Sequence, residues 1–307
     1  MRATGKRICL SEVARAAELI REGELVAFPT ETVYGLGANA LDPLAIDKIY
    51  AAKGRPPSSP LIVHVSSIEM ARGLVREWPE RAEKLARKFW PGPLTLVLPK
   101  QPHVPDRLTA GLDTVGVRMP ANPIALALIG EAGVPIAAPS ANLFTELSPT
   151  TAQHVRDSLG DRVAMVLDGG RTTVGIESTV LSLADSNAVL LRPGMITRQE
   201  IEAVIGPIQE LGPMKEGAHA SPGLHRRHYS PKTPLILIEP GKLPQFSMPG
   251  RGICIQMPTD PHEYAAVLYE SLHAADAQGW DWIAIEQPPA GDEWSAIRDR
   301  LERAATR

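Results

Sequence analysis

Short apolar runs alternate along this chain with segments in which apolar residues recur every three or four positions. Segment 12–22 has the helical pattern, with Val13, Ala16 and Ile20 on one face and Ser11 in place to cap the helix. Further helices are predicted at 43–54, 67–77, 80–89, 123–131, 150–159 and 198–205. Strands are predicted at 25–28, 61–65, 94–98, 115–119, 135–138, 163–167, 178–183 and 188–191.

The order of these elements predicts an α/β fold built on a sheet of mixed direction. Strands and helices alternate in places, whereas the strands at 178–183 and 188–191 follow one another directly. Helix and strand signals fade between 206 and 233, and this segment has the composition of a linker. Beyond it, strands at 235–238, 252–256 and 282–285 and helices at 261–277 and 292–306 predict a small second α/β unit. The predicted domains are 1–205, a linker at 206–233, and 234–307.

Composition and charge restrict the class of protein. With 44% hydrophobic and 22% charged residues the chain is typical of a globular protein. A net charge of −3 provides no global positive field for nucleic acid, although it leaves room for a local basic patch. Cys9 and Cys254 match no metal-binding spacing, so we expect two buried free thiols and a reducing compartment. No apolar run approaches membrane-spanning length, and we therefore expect a cytoplasmic protein without a membrane partner.

The segment Gly35–Ala40 matches the dinucleotide-binding pattern G-x-G-x-x-A, with an apolar run before it and a helix after it. No acidic residue follows about 20 positions later, where such a site needs one for the ribose. A tight turn or a different nucleotide loop is therefore favoured over a dinucleotide site. The hydroxyls and cations around this Gly-rich segment indicate a phosphorylated ligand.

Four cations and one histidine stand in positions that need explanation. Lys53 and Arg55 follow a helix, where they complement its dipole, but two prolines fix the chain there and favour a phosphate clamp. Arg118 lies in an apolar strand and needs an anionic partner, either a structural carboxylate or a substrate. Arg192 is held by a rigid turn in the same way as Arg55. His64 lies in an apolar run and, on this pattern alone, is predicted to be a core residue.

Hydroxyl groups recur where helices or turns begin, at Ser140, Ser148 and Ser178, and they serve either as caps or as anion ligands. The segment 225–229 is a local basic patch, which is a solvated charge run, an RNA contact or a cover over an anionic ligand. No nucleophile with an adjacent base stands out along the sequence. Any chemistry should therefore depend on positioning and charge neutralisation, as in nucleotidyl transfer.

Taken together, the ordered motifs resemble the threonylcarbamoyl-AMP synthase family, the YrdC-like proteins, in their long two-domain form. The matching segments are PTETVYGLG at 29–37, KGRP at 53–56, PLIVH at 60–64, WPGPLT at 90–95, VRMP at 117–120, APSAN at 138–142, SPT at 148–150, GIEST at 175–179, LRPG at 191–194, and SPG with HYSP within 221–231. The resemblance implies a YrdC-like twisted mixed sheet with a concave active-site face. It also implies a small Rossmann-like C-terminal domain and a linker that folds over the site.

The resemblance further implies a reaction in which L-threonine, bicarbonate and ATP give threonylcarbamoyl-AMP and pyrophosphate. The product would pass to a tRNA threonylcarbamoyl-transfer complex. By motif position, the resemblance implies that threonine is bound by Thr32, His64, Arg118, Ala138 and Ser178. It implies that ATP is bound by Lys53, Arg55, Ser59, Thr114, Ser140, Ser148, Arg192 and Tyr229. A divalent cation, Mg²⁺, is expected on the phosphates.

Two other functions are weighed against this one. A YrdC-like module that binds double-stranded RNA or tRNA without catalysis is the main alternative, and the net charge of −3 argues against it. A carbamoyl-transfer enzyme of the hydrogenase-maturation type contains a related domain, but its Cys-rich zinc segments have no counterpart among two lone cysteines. Threonine-dependent turnover of ATP distinguishes the synthase from both.

Overall fold

A computed structural model of the chain describes residues 9–210 and 229–306 and contains one large and one small sheet. The strands are β1 (Val26–Pro29), β2 (Tyr34–Asn39), β3 (Ile62–His64), β4 (Leu94–Pro99), β5 (Thr114–Arg118), β6 (Ile136–Ala137), β7 (Met165–Val166), β8 (Thr179–Ser182), β9 (Val189–Arg192), β10 (Gln209–Glu210), β11 (Leu235–Ile238), β12 (Gly252–Ile255) and β13 (Trp282–Glu286). The helices are α1 (Leu10–Arg21), α2 (Pro43–Lys53), α3 (Ile68–Leu74), α4 (Glu80–Phe89), α5 (Asp106–Thr109), α6 (Pro123–Ala132), α7 (Ala152–Leu159), α8 (Arg198–Ile205), α9 (Pro261–Asp276) and α10 (Ser295–Ala305).

The large sheet has the strand order β10-β9-β8-β4-β5-β3-β6-β2-β1-β7. Strands β3 and β5 run parallel, as do β4 and β8, whereas β4 pairs with β5 in the antiparallel direction. Strands β8 and β9 form the antiparallel pair expected from two consecutive apolar runs. The predicted mixed α/β sheet is therefore confirmed.

The C-terminal unit contains a parallel three-stranded sheet with the order β11-β13-β12. Helix α9 connects β12 to β13 and buries Tyr264, Leu268, Tyr269 and Leu272. This confirms the predicted second α/β unit. The domain boundaries at 205 and 233 stay predictions, and residues 211–228 of the predicted linker lie outside the described part of the chain.

The Gly-rich segment is a strand, not the turn or nucleotide loop that we expected. Strand β2 pairs antiparallel with β1, and Val26 is opposite Gly37. A Cβ atom on Gly37 would lie 2.7 Å from Cε1 of Phe28 and 3.0 Å from Cγ2 of Ile136. Glycine is therefore required by close packing within the sheet. Because α2 begins only at Pro43, no helix N-terminus follows the glycines as a dinucleotide site would require.

The ends of the helices follow local chemistry. Asp42 caps the start of α2 by accepting the N–H of Leu44. The helix ends at Lys53, and the next residue, Gly54, has a left-handed φ of 63°. A capping box formed by Thr197 and Glu200 begins α8. Among the described residues, no helix is long and apolar enough to cross a membrane.

Two expectations about the cysteines and α1 were wrong. Helix α1 begins at Leu10, so Cys9 rather than Ser11 is its N-cap residue. Both cysteines are free, as expected, but both are exposed instead of buried. Cys9 lies at the start of a surface helix, and Cys254 lies in β12, which is an edge strand of the small sheet.

The two units share an apolar interface. Val33, Leu147 and Ile176 of the large unit belong to the same buried cluster as Tyr269 and Ile297 of the small one. At Gly175 the backbone has a left-handed φ of 85° and lies directly against α9. A Cβ atom at this position would lie 2.3 Å from the carbonyl oxygen of Ala265 and 2.6 Å from Cα of Ala266. A side chain at position 175 would therefore force the two units apart.

We predict that Gly175→Ala lowers the free energy of unfolding by about 2 kcal/mol or more, because it adds both backbone strain and a clash with α9. Gly130→Ala is the matched control, since Gly130 lies in helix α6 with no atom within 4 Å of the added Cβ. This control should raise the same free energy by roughly 0.5–1 kcal/mol. Urea denaturation followed by circular dichroism measures both, and equal effects of the two substitutions would contradict the interface.

Candidate active site

The main candidate site is a cavity at the carboxyl ends of β3 and β5, and its lining includes Tyr229 from the segment between the two units. Strands β3 and β5 are parallel neighbours, and His64 is in register with Arg118 at their carboxyl ends. Ligands of open α/β sheets bind at this edge. The cavity is lined by Thr30, Thr32, Val33, Gly35, Arg55, Ile62, His64, Arg118, Ala138, Pro139, Ser140, Glu177, Ser178, Arg192 and Tyr229.

Arg118 is fixed by a buried network at the tip of the β1–β2 hairpin. Its Nη2 donates to Oε1 of Glu31 at 2.6 Å, and both side chains are less than 10% exposed. Its Nη1 donates to Oγ1 of Thr32 at 3.0 Å, and that hydroxyl lies 2.8 Å from Oγ1 of Thr30. Glu31 is therefore the structural carboxylate that the sequence suggested as one partner of Arg118. Arg118 also lines the cavity, where a substrate could contact it. The hairpin holds the hydroxyl of Thr32 against the guanidinium.

His64 is a buried, neutral base within the cavity wall. Burial lowers its pKa well below the usual histidine value, and the positive charge of Arg118 lowers it further. Its Nδ1 has no hydrogen-bond partner among the described residues. A buried polar atom without a partner costs free energy, so this nitrogen is suited to bind a ligand. The prediction from its apolar run, a satisfied core residue, does not fit this geometry.

Arg55 and Arg192 supply positive charge on the other side of the cavity. Arg55 donates to Oγ of Ser59 and to the carbonyl of Pro60, and its Nε has no partner among the described residues. Burial lowers the pKa of Arg55 to about 10, which leaves it charged at neutral pH. Arg192 donates from Nε and Nη2 to the carbonyl oxygen of Ser178 at 3.1 and 3.0 Å. Two desolvated guanidinium groups favour an anionic ligand strongly.

Nine of the thirteen predicted site residues line this cavity, and four do not. Lys53 donates to the carbonyl oxygens of Ser140 and Asn142 at 2.6 and 2.5 Å, and burial lowers its pKa well below the usual lysine value. Thr114 lines a separate small cavity beside β4 and β5. Ser59 accepts from Arg55, and Ser148 donates to Glu177 at 2.5 Å. In this arrangement Lys53, Ser59 and Ser148 contact residues of the cavity wall, one step away from the cavity.

Glu177 is the functional residue that the motifs did not single out. Its Oε1 accepts the hydroxyl of Ser148, and its Oε2 accepts Nε of Arg300 at 2.8 Å and the hydroxyl of Tyr269 at 3.1 Å. Burial raises its pKa, but Arg300 and Arg192 outweigh that effect, and the net pKa is lowered. The Glu-Ser-Thr step beside a buried strand was the one available signal. No local sequence pattern predicts its pairing with Arg300, which lies 123 positions away.

Arg300 connects the C-terminal unit to this wall. It is completely buried in α10, and besides Glu177 it donates to the carbonyl of Pro193 at 3.1 Å. Its guanidinium carbon lies 5.2 Å from the ring centre of Tyr229. One side chain of the small unit therefore holds together two parts of the large unit, at Glu177 and Pro193, and the adjoining segment at Tyr229.

We predict that Arg300→Met lowers the free energy of unfolding by about 3–5 kcal/mol, because it leaves the carboxylate of Glu177 buried without its cation. Arg298→Met is the matched control on the same helix, where the arginine is 42% exposed and 4.0 Å from Glu302. This control should change the free energy by about 0.5 kcal/mol or less. Thermal and urea unfolding of both variants test the difference, and a stable Arg300→Met protein would contradict a supporting role for this ion pair.

Comparison with known proteins adds an independent line of evidence. A family model described as "Telomere recombination", which groups Sua5, YciO and YrdC proteins, matches residues 18–194. A second model, described as "Threonylcarbamoyl-AMP synthase, C-terminal domain", matches residues 196–306. A threonylcarbamoyl-AMP synthase of Bacillus subtilis is 45% identical over 96% of this chain and 93% of its own length.

The solved structures agree with the sequence relatives. The structure of Pyrococcus abyssi Sua5 complexed with L-threonine has 42% identity and a TM-score of 0.91, covering 98% of this chain and 96% of its own. A variant of the same Pyrococcus protein gives a TM-score of 0.92. Both units of the present chain, and not the large sheet alone, are therefore similar to known structures.

Proposed function

The chain belongs to the threonylcarbamoyl-AMP synthase family, and we propose that it makes L-threonylcarbamoyladenylate and pyrophosphate from L-threonine, bicarbonate and ATP. The observation that carries the proposal is the pairing of a neutral buried histidine with two desolvated arginines around one cavity. Such a cavity suits a small amino acid at one end and phosphates at the other. The reaction is a nucleotidyl transfer, and its product would serve the threonylcarbamoyladenosine modification of tRNA through a downstream transfer complex.

We place threonine against the hairpin tip and the ends of β3 and β5. Arg118 would bind the carboxylate of the amino acid, and the hydroxyl of Thr32 would bind its hydroxyl. These two groups are neighbours in the cavity wall, where Nη1 of Arg118 lies 3.0 Å from Oγ1 of Thr32. His64 is neutral and its Nδ1 has no partner among the described residues, so this nitrogen can accept a hydrogen bond from the amino group of threonine without adding a positive charge to the site. Ala138 and Ser178 would complete this end of the pocket.

We place ATP against Arg55, Ser140, Arg192 and Tyr229, which line the opposite part of the cavity. Arg55 bonds only neutral oxygens among the described residues, so its charge is available to a phosphate. Lys53, Ser59 and Ser148 would act through the groups they contact, whereas Thr114, at the opposite end of β5 from Arg118, lines a different cavity. The proposed ATP site thus has an inner layer that faces the ligand and an outer layer that positions it.

The proposed chemistry needs no covalent enzyme intermediate. The amine of threonine forms an N–C bond with bicarbonate, releasing water and leaving a carbamate. A carbamate oxygen then attacks the α-phosphorus of ATP, the bond to the β-phosphate breaks, and pyrophosphate leaves with the electron pair. Fixed guanidinium groups stabilise the charge that develops on the phosphates, and the enclosed site excludes water from the carbamate.

Magnesium is part of this proposal as an ion carried by the triphosphate. Among the described residues no group of three metal-binding side chains is present, and Glu177, the one carboxylate lining the cavity, is engaged by Arg300 and Ser148. The described part of the chain therefore offers no ligand set of its own for the ion.

The cavity volume of about 50 Å³ is far smaller than typical ligand pockets of roughly 300 Å³ and above, so ATP requires part of the wall to move. Tyr229 is the lining residue that belongs to the segment between the two units. Its backbone φ of 60° is left-handed, which costs a residue with a side chain of order 1 kcal/mol. We propose that ATP enters by displacement of Tyr229.

We predict that Arg55→Ala lowers kcat/KM for ATP by about 100-fold or more, because it removes a desolvated donor to the phosphates. Arg87→Ala is the matched control, since Arg87 is 77% exposed and pairs with Glu83 in α4. Release of pyrophosphate and mass-spectrometric detection of the adenylate, with ATP, bicarbonate and L-threonine, measure both variants. Near-normal turnover by Arg55→Ala would refute its role, and RNA binding by a wild-type protein without threonine-dependent turnover would favour the non-catalytic alternative.

We predict that L-serine replaces L-threonine with kcat/KM lowered by roughly 10- to 200-fold, because one methyl group loses its apolar contacts. The side chains of Val33, Ile62 and Ala138 provide apolar surface in the cavity. Initial rates of pyrophosphate release over a range of each amino acid give the ratio, and ATP with bicarbonate alone gives the background. Equal efficiency for the two amino acids would contradict a pocket shaped for threonine.

A further inference from the structure

The C-terminal unit has a second cavity, of about 370 Å³, at the carboxyl edge of its parallel sheet. Its walls come from the segments that follow β11, β12 and β13 and from the first turn of α9. It is lined by Leu243, Pro244, Gln256, Met257, Pro258, Thr259, Tyr264, Glu286, Gln287, Pro288, Pro289 and Trp294. Both the size and the location are typical of ligand sites in open α/β sheets.

Tyr264 gives this cavity a polar group that lacks a partner. The side chain is 3% exposed, and its hydroxyl has no hydrogen-bond partner among the described residues. Burial raises the pKa of this phenol, and the charge of Glu286 raises it further, so the hydroxyl keeps its proton. The ring is held edge-on against Trp294 at 5.8 Å. Tyr264 lines the cavity, and its buried, protonated hydroxyl has no partner among the described residues, so it can donate a hydrogen bond to an acceptor that a ligand brings.

The charge of the lining restricts the class of ligand. Glu286 is the only charged side chain among the described residues that line this cavity, and one of its oxygens accepts the N–H of Gly241 at 2.7 Å. With no lysine or arginine in that described lining, a phosphate or carboxylate group would be desolvated without a partner. The prolines, Met257 and Trp294 instead offer flat apolar surfaces to an uncharged ring.

We propose that this cavity binds a neutral planar heteroaromatic molecule that carries a hydrogen-bond acceptor beside a donor on one edge, as nucleobases do. The acceptor pairs with the hydroxyl of Tyr264, and the donor pairs with Glu286 or with the amide oxygens of Gln256 and Gln287. The ring lies between the apolar walls. This site is separate from the proposed threonine and ATP site and does not depend on that assignment.

The test uses the full chain with its five tryptophans replaced by 5-fluorotryptophan. Single Trp→Phe substitutions assign each of the five fluorine signals to its residue. Adenosine, cytidine, guanosine and nicotinamide are titrated while the fluorine spectrum is recorded. At least one of them should shift the Trp294 signal saturably at submillimolar concentration, with the Trp78 signal unchanged as the internal reference. AMP should bind more weakly than adenosine at this reporter, because its phosphate finds no cation. If none of the four probes shifts Trp294 saturably, the proposal is wrong.

Two substitutions separate a ligand site from a structural hydroxyl. Tyr264→Phe keeps the ring against Trp294 and should weaken binding of the active probe by about tenfold, the equivalent of one buried hydrogen bond. It should leave the thermal midpoint unchanged or higher, since it removes an unsatisfied buried group. Arg55→Ala, in the other cavity, should not alter the Trp294 response. Unchanged binding by Tyr264→Phe, or a lower thermal midpoint for that variant, would overturn the assignment.

Discussion

The buried ion pair between Glu177 and Arg300 is the constraint on which both the site and the domain arrangement depend. The carboxylate lies in the cavity wall of the large unit, while the guanidinium comes from the last helix of the small one. Arg300 also pairs with Asp299 at 2.7 Å, but the buried carboxylate of Glu177 has no other ion pair among the described residues and would be costly without Arg300. The large unit alone would therefore expose or neutralise Glu177, and the wall of the cavity would change. The small unit is in this sense part of the active site, although its own sheet lies outside the cavity.

The same reasoning explains how several cations lie in the wall of one small cavity or directly behind it. Arg118 is compensated by Glu31, and Arg300 by Glu177, so neither contributes much uncompensated charge. Arg55 bonds only neutral oxygens among the described residues, and its unpartnered Nε adds an unsatisfied donor. A polyanionic ligand is the natural complement of this arrangement, because it supplies both charge and acceptors at once. The cost of burying Arg55 is thus offset when the ligand binds.

Local chemistry explains which features could be predicted from the sequence. The ends of α2 and the capping box of α8 follow from residues within four positions of each other, and the apolar runs placed most strands correctly. Strand β2 was missed because glycine disfavours strands on average, and only the packing of Phe28 against Gly37 explains the exception. Glu177 with Arg300 was missed because their contact spans 123 positions. Motif resemblance recovered nine cavity residues, yet it did not separate them from Lys53, Ser59 and Ser148, which hold cavity residues in place.

Substrate entry sets a limit on how tightly the two units can be joined. Opening the cavity by separating them would break the Glu177–Arg300 pair and expose the apolar interface around Ile176, at a cost of several kcal/mol. Moving Tyr229 instead would sacrifice contacts that include those with Tyr269 and Arg300, and it would release the strain of a left-handed residue. We expect this second route to cost less, because it leaves the buried ion pair and the apolar interface intact. On this proposal a closed site would exchange substrates through Tyr229 while the ion pair keeps both units and the rest of the wall in place.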